Sequence, residues 1–283
     1  MLLNKKSFFL FLFLIFANLS SAKYIGGDKW NKKLINKNNI YKLNEAEKDF
    51  FFKSAKVITS QNNKTSVGTS FYVKEIESGF LFLTNYHVIE NKRTCLKSKI
   101  IILDKNFNKH TAKCYKILKQ GTYKDQSDYT YFIVKKIDKL DFLKSYSETK
   151  FSESLPLVGD KLSFLGFGGS KYNKNFSIKI SNDKDCIFLK AFSKITLGNT
   201  KDKEEVKDII STGCDTESGD SGSALFNRYT GEVVGLLFGS HLSKTRSINL
   251  SSDYIKKNLD NSPITFVKFG SWAIQSSKLK FGN

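Results

Sequence analysis

Histidine is scarce in this chain, with three residues among 283. Chemistry that needs an imidazole near neutral pH therefore has only three places to be. Cysteine is scarce too, and the four present lack the close paired-ligand spacing of a structural zinc site, so no metal is expected. The apolar run at residues 8–17 falls short of the roughly 20 residues that a spanning helix requires, which argues against stable membrane insertion. Internal repeats and long low-complexity tracts are absent. Gly166-Phe167-Gly168-Gly169-Ser170-Lys171 lacks the spacing of a phosphate-binding loop and has no helical pattern after it, so it reads as a strand end and turn, and no cofactor is expected. The net charge of +19 is spread from Lys32-Lys33 through Lys135-Lys136 to Lys256-Lys257 without forming a stripe. It reads as a solvated basic surface, suited to weak attraction to anionic partners but not to a nucleic-acid module.

What is present is one hydroxyl in a glycine-flanked turn, Gly219-Asp220-Ser221-Gly222-Ser223, where backbone N–H groups can face a reacting carbonyl. Serine alone is a poor nucleophile and needs a base with an orienting carboxylate. His87 closes the apolar β run Phe80-Leu81-Phe82-Leu83-Thr84-Asn85-Tyr86-His87, a rigid mount that neither His110 nor His241 has. A lone histidine at a strand end is ordinarily a solvated or packing residue; paired with Ser221 it reads as a general base. Asp128 leads directly into Tyr129-Thr130-Tyr131-Phe132-Ile133-Val134, so a strand start would fix its carboxylate. Asp125, in a polar loop, reads as a solvated charge.

These residues resemble the chymotrypsin-fold serine peptidases, nearest to the compact bacterial trypsin-like and glutamyl-endopeptidase-like branches. Thr84-Asn85-Tyr86-His87-Val88, Asp128-Tyr129-Thr130-Tyr131 and Gly219-Asp220-Ser221-Gly222-Ser223 match the family's three motifs in order, and Gly68-Thr69-Ser70-Phe71-Tyr72-Val73 resembles the strand before the histidine hairpin. The resemblance covers residues 53–238. Ser223 and Ala224 depart from the commonest pattern, though serine occurs at the first of these positions in the glutamyl branch, and neither change removes a catalytic group.

The resemblance implies an all-β fold of two six-stranded antiparallel barrels followed by a C-terminal helix. It implies peptide-bond hydrolysis by His87, Asp128 and Ser221 through an acyl-enzyme, with the N–H groups of Gly219 and Ser221 as the oxyanion hole. Substrates would be proteins or peptides, bound beside Asp215, Thr216, Phe238, Gly239, Ser240 and His241. Asp215, six positions before the serine, suggests basic specificity; a glutamyl-type pocket would want a histidine where Leu237 stands. A monomer is expected. The competing function is a secreted binding protein that kept the fold and lost activity. Tyr24-Ile25-Gly26-Gly27 is similar to the start of mature trypsin-like enzymes, whose freed terminus pairs with the acid before the serine, here Asp220; an ordinary exported terminus with a glycine turn is the other reading.

Lys5, Lys6, the run at 8–17 and Ser20-Ser21-Ala22 read as a signal peptide cut near Ala22, sending the chain to the periplasm or the medium. All four cysteines lie in the exported part, where disulfides are permitted. Three pairings are open; Cys95 with Cys114 is favoured because both follow His87 in what reads as neighbouring strands of the first barrel, and Cys186 with Cys214 in the second. The expected organisation is a signal peptide at 1–22, an extension at 23–52, a first barrel at 53–145, a second at 146–250 and a helix and tail at 251–283. Strands are expected at 55–59, 67–73, 80–83, 99–103, 112–118 and 129–135, then at 161–167, 176–180, 187–191, 206–211, 223–226 and 233–238. Residues 43–52 have helical character, and 252–259 read as the C-terminal helix.

Overall fold

The computed structural model describes residues 32–61, 64–122, 127–169, 176–197, 204–240 and 271–279. The expected signal peptide, the glycine turn at Tyr24-Ile25-Gly26-Gly27, His241 and the C-terminal helix lie outside the described residues.

The first half is a closed barrel of six antiparallel strands: β2 (Ser54–Gln61), β3 (Lys64–Ile76), β4 (Gly79–Thr84), β5 (Lys99–Leu103), β6 (Lys109–Gly121) and β7 (Tyr129–Val134). Their order is β2-β3-β4-β7-β6-β5, and pairing of β2 with β5 closes the ring. Closure explains the unbroken apolar run of β4. Alternate side chains point to opposite faces of a strand, and here both faces are covered: Phe80 and Phe82 fill the barrel, while Leu81 and Leu83 pack against the second half.

The second half is an eight-stranded sheet of order β1-β9-β8-β12-β13-β14-β11-β10. Its strands are β1 (Lys33–Ile35), β8 (Leu162–Gly166), β9 (Ile178–Ser181), β10 (Phe188–Leu197), β11 (Glu204–Thr212), β12 (Ala224–Asn227), β13 (Val233–Ser240) and β14 (Ser271–Gln275). All six strands expected for this half are present. The two additional ones come from the ends of the chain, as β1 from the extension pairs with β9 and β14 lies between β11 and β13. Three residues at a sheet edge and a five-residue Ser-Trp-Ala-Ile-Gln segment carry too little alternation to be read from sequence.

Two segments clamp the halves together. Helix α1 (Glu45–Lys53) opens with a capping box between Asn44 and Glu47 and stacks Phe50 on Phe226, ring centroids 4.2 Å apart. Its buried Glu47 also accepts from Ser163 Oγ at 3.0 Å, Asn182 Nδ2 at 2.9 Å and Arg228 Nε at 3.1 Å. The connector after β7 bonds to both sides, with the Thr149 N–H donating to Val73 O and the Ser152 N–H to Val233 O. At the far end of the chain, the Tyr131 hydroxyl donates to the Leu279 carbonyl.

Disulfides join Cys95 to Cys114 and Cys186 to Cys214. Cys95 is helical, in α2 (Lys92–Lys97), rather than on a strand as expected, so the first bridge ties a helix to β6. Asn91 caps that helix by accepting from the Thr94 N–H, which is why an extended reading fails there.

Candidate active site

Strand register brings His87 and Asp128 together. Thr84, the last residue of β4, pairs with Thr130 near the start of β7, so the segment leaving one strand runs beside the segment entering the other. Asn85 reinforces the crossing by donating from Nδ2 to the Asp128 carbonyl at 2.8 Å. The fully buried Asp128 then holds His87 twice: Oδ2 lies 2.7 Å from Nδ1, and Oδ1 accepts the His87 backbone N–H at 3.0 Å. Burial of the imidazole works against its charged form, but the charge and hydrogen bond of Asp128, aided by Glu90, outweigh this and hold its pKa above the ordinary histidine value.

Ser221 sits in the turn between β11 and β12, and that turn is pressed against the first barrel at Thr69. The Thr69 N–H donates to Ser221 O and its hydroxyl to Gly219 O, both at 2.8 Å. Thr84, three residues before His87, donates its hydroxyl to Thr69 O at 2.6 Å. Thr69 and Thr84 thus bring the serine turn to the end of the strand that carries His87. The turn needs glycine at two points. Gly219 has φ +102° and Gly222 φ +90°, and a Cβ on Gly222 would stand 2.0 Å from Thr69 O.

The same turn aims two backbone donors. A trans peptide points its N–H opposite its C=O. Ser218 O is held by the Gly169 N–H and Asp220 O by the Ser223 N–H, both at 3.0 Å, which fixes the N–H groups of Gly219 and Ser221 in the opposite direction. Neither N–H has an acceptor among the described residues. No hydrogen bond joins Ser221 Oγ to His87 in this structure; such contacts commonly tighten only when substrate binds.

Asp215 is buried beside the second disulfide, its N–H donating to Ser181 Oγ at 2.9 Å. Thr216 Oγ1 and Ser271 Oγ are 2.7 Å apart, and Phe238 tilts against Trp272. Gly239 continues β13 beside Trp272.

One buried group escaped the sequence reading. Lys32 belongs by composition to the solvated basic surface, yet its side chain is fully buried, with Nζ 2.5 Å from Asp220 Oδ2 and 3.4 Å from Glu217 Oε1. In a chain so rich in lysine nothing local marks it, because its partner is 188 residues away.

A closed six-stranded barrel bearing a histidine–aspartate pair, packed on an eight-stranded sheet bearing a glycine-flanked serine, is consistent with the two-barrel architecture of a chymotrypsin-like serine peptidase. The chain belongs to the trypsin-like peptidase domain family, whose profile matches residues 68–236. It superposes on the active form of the Rv3671c protease from M. tuberculosis with TM-score 0.55 and 15% identity, covering 86% of this chain and 84% of that one. A Glu endopeptidase solved with MPD gives TM-score 0.52 and 15% identity over 84% and 99% of the two chains. For Deg5 the values are 0.51 and 16% over 84% and 93%. No significant match is found among curated proteins.

Proposed function

We propose that this chain is an exported serine endopeptidase in which Ser221 is the nucleophile, His87 the general base and Asp128 the orienting carboxylate. The observation that carries the proposal is the double hydrogen bond from buried Asp128 to His87. It makes Nδ1 the protonated nitrogen and leaves Nε2 to take the proton from Ser221 as Oγ attacks a peptide carbonyl. The N–H groups of Gly219 and Ser221 then receive the developing oxyanion, each worth about 3 kcal/mol in chemistry of this kind. His87 returns its proton to the leaving amine, and a water activated by the same nitrogen releases the acyl group from Ser221.

Substrate would lie between the barrel and the eight-stranded sheet beside Asp215, Thr216, Phe238, Gly239 and Ser240, with Asp215 favouring a basic side chain. The two disulfides fit an oxidising compartment. Among the described residues no helix is long and apolar enough to cross a membrane.

Labelling of purified protein with a fluorophosphonate beside Ser221→Ala tests the proposal. Labelling of wild type alone supports it. The competing reading is a binding protein of the same fold without activity. A cooperatively folded wild type that takes no label decides for that reading.

A further inference from the structure

We propose that Lys32 is the cation that holds the serine turn in its working conformation, so that activity does not await a freed amino terminus. The inference rests on the peptidase reading above and adds a positioning residue to it.

Asp220 adjoins Ser221, and its carbonyl orients the Ser221 N–H, so whatever fixes Asp220 fixes one donor of the proposed oxyanion hole. Its buried carboxylate accepts three hydrogen bonds. Oδ1 accepts the Gly168 N–H at 2.9 Å, and Oδ2 accepts the Glu217 N–H at 2.8 Å and Lys32 Nζ at 2.5 Å. Lys32 Nζ also lies 5.2 Å from the centre of the Phe164 ring. Burial pushes the Asp220 carboxyl above its ordinary range, and Lys32 is the largest influence opposing it.

The strand that follows Lys32 holds the ammonium in place. Glu217 takes a second cation, Lys179 Nζ at 2.7 Å, and Lys32 leads directly into β1, which pairs with β9 from Lys33 to Ile35. Among the described residues, the features that bring the cation to Asp220 are the pairing of β1 with β9 and the contacts of Lys32 itself. A side-chain ammonium delivered by a strand is present whatever precedes it, whereas a terminal ammonium exists only after a cut.

The test compares wild type, Lys32→Met, Lys179→Met and wild type carrying a retained peptide tag ahead of Lys23. Fluorophosphonate labelling rates, kcat and KM for an ester substrate, and thermal melts are measured on each. The tagged chain should label at the wild-type rate. Lys32→Met should label about 100-fold slower or worse, the scale of losing an oxyanion donor, with kcat falling and KM within about twofold. Lys179→Met, which leaves Asp220 paired, should keep the wild-type rate. The proposal is overturned if folded Lys32→Met labels like wild type, or if the tag abolishes labelling that its removal restores. The tag measurement decides even where Lys32→Met fails to fold. Absence of labelling in every form would instead overturn the peptidase reading, and this one with it.

Discussion

Replacing Gly222 with alanine should damage both stability and the nucleophile, and a second glycine supplies the control. A Cβ at position 222 would meet Thr69 O at 2.0 Å, Thr84 Oγ1 at 2.4 Å and Thr69 C at 3.0 Å, where ordinary contact begins at 3.4 Å. Thr69 O cannot retreat easily, because it belongs to β3 and accepts from Thr84 Oγ1. The serine turn must move instead, by about 1 Å, straining the bond from the Thr69 N–H to Ser221 O. A lost hydrogen bond costs about 1 kcal/mol, and left-handed backbone in a residue with a Cβ costs about 1–2 kcal/mol more. With the overlap included, the expected loss is about 3–5 kcal/mol, or roughly 6–15 °C in Tm for a protein of this size. A 1 Å misplacement of a nucleophile costs about 100-fold in rate. Gly159 has nearly the same φ, +91°, with nothing within 4 Å of its Cβ position. Gly159→Ala should therefore lose only about 1–2 kcal/mol and label at the wild-type rate. Calorimetry and fluorophosphonate kinetics read both. Equal melting points and labelling rates for the two variants would refute the assignment of the clash, and with it the role of Thr69 in seating Ser221.

The acid limb of kcat/KM should fall above the ordinary histidine pKa, since turnover needs neutral His87; in Asp128→Asn it should shift to lower pH while the rate drops about 10⁴-fold. The raised folded-state pKa also means that His87 adds stability below its unfolded value, near 6.5, and loses it as pH rises through the folded value. Wild type should thus outlast His87→Gln in thermal melts by more at about pH 5 than at about pH 9. Cys95→Ser with Cys114→Ser opens a bridge of sequence separation 19 and should cost about 3 kcal/mol by loop entropy, measured by calorimetry. Glu47→Ala removes the buried acceptor shared by Ser163, Asn182 and Arg228, and should cost about 3–5 kcal/mol in denaturant unfolding.

The strands of the first barrel were legible because their signals are local. Phe80-Leu81-Phe82-Leu83 and Tyr131-Phe132-Ile133-Val134 are apolar on both faces, and their ends deliver His87 and Asp128. The serine turn was legible from glycines whose backbone angles and close approaches demand them. What escaped depends on partners distant in sequence. β1 is a three-residue strand made by β9, β14 is wedged between two strands, and Lys32 differs from its exposed neighbours only by where Asp220 lies. The six-residue helix that carries Cys95 has little local signal beyond its Asn91 cap.

The 188 residues between Lys32 and Asp220 also set an order of assembly. The segment bearing Lys32 leaves the ribosome early, yet the strand it joins and the carboxylate it meets are made much later, and closing so long a loop is entropically slow. The nucleophile's turn would settle only once both ends of this loop had been made and had met, which places its completion among the last steps of folding.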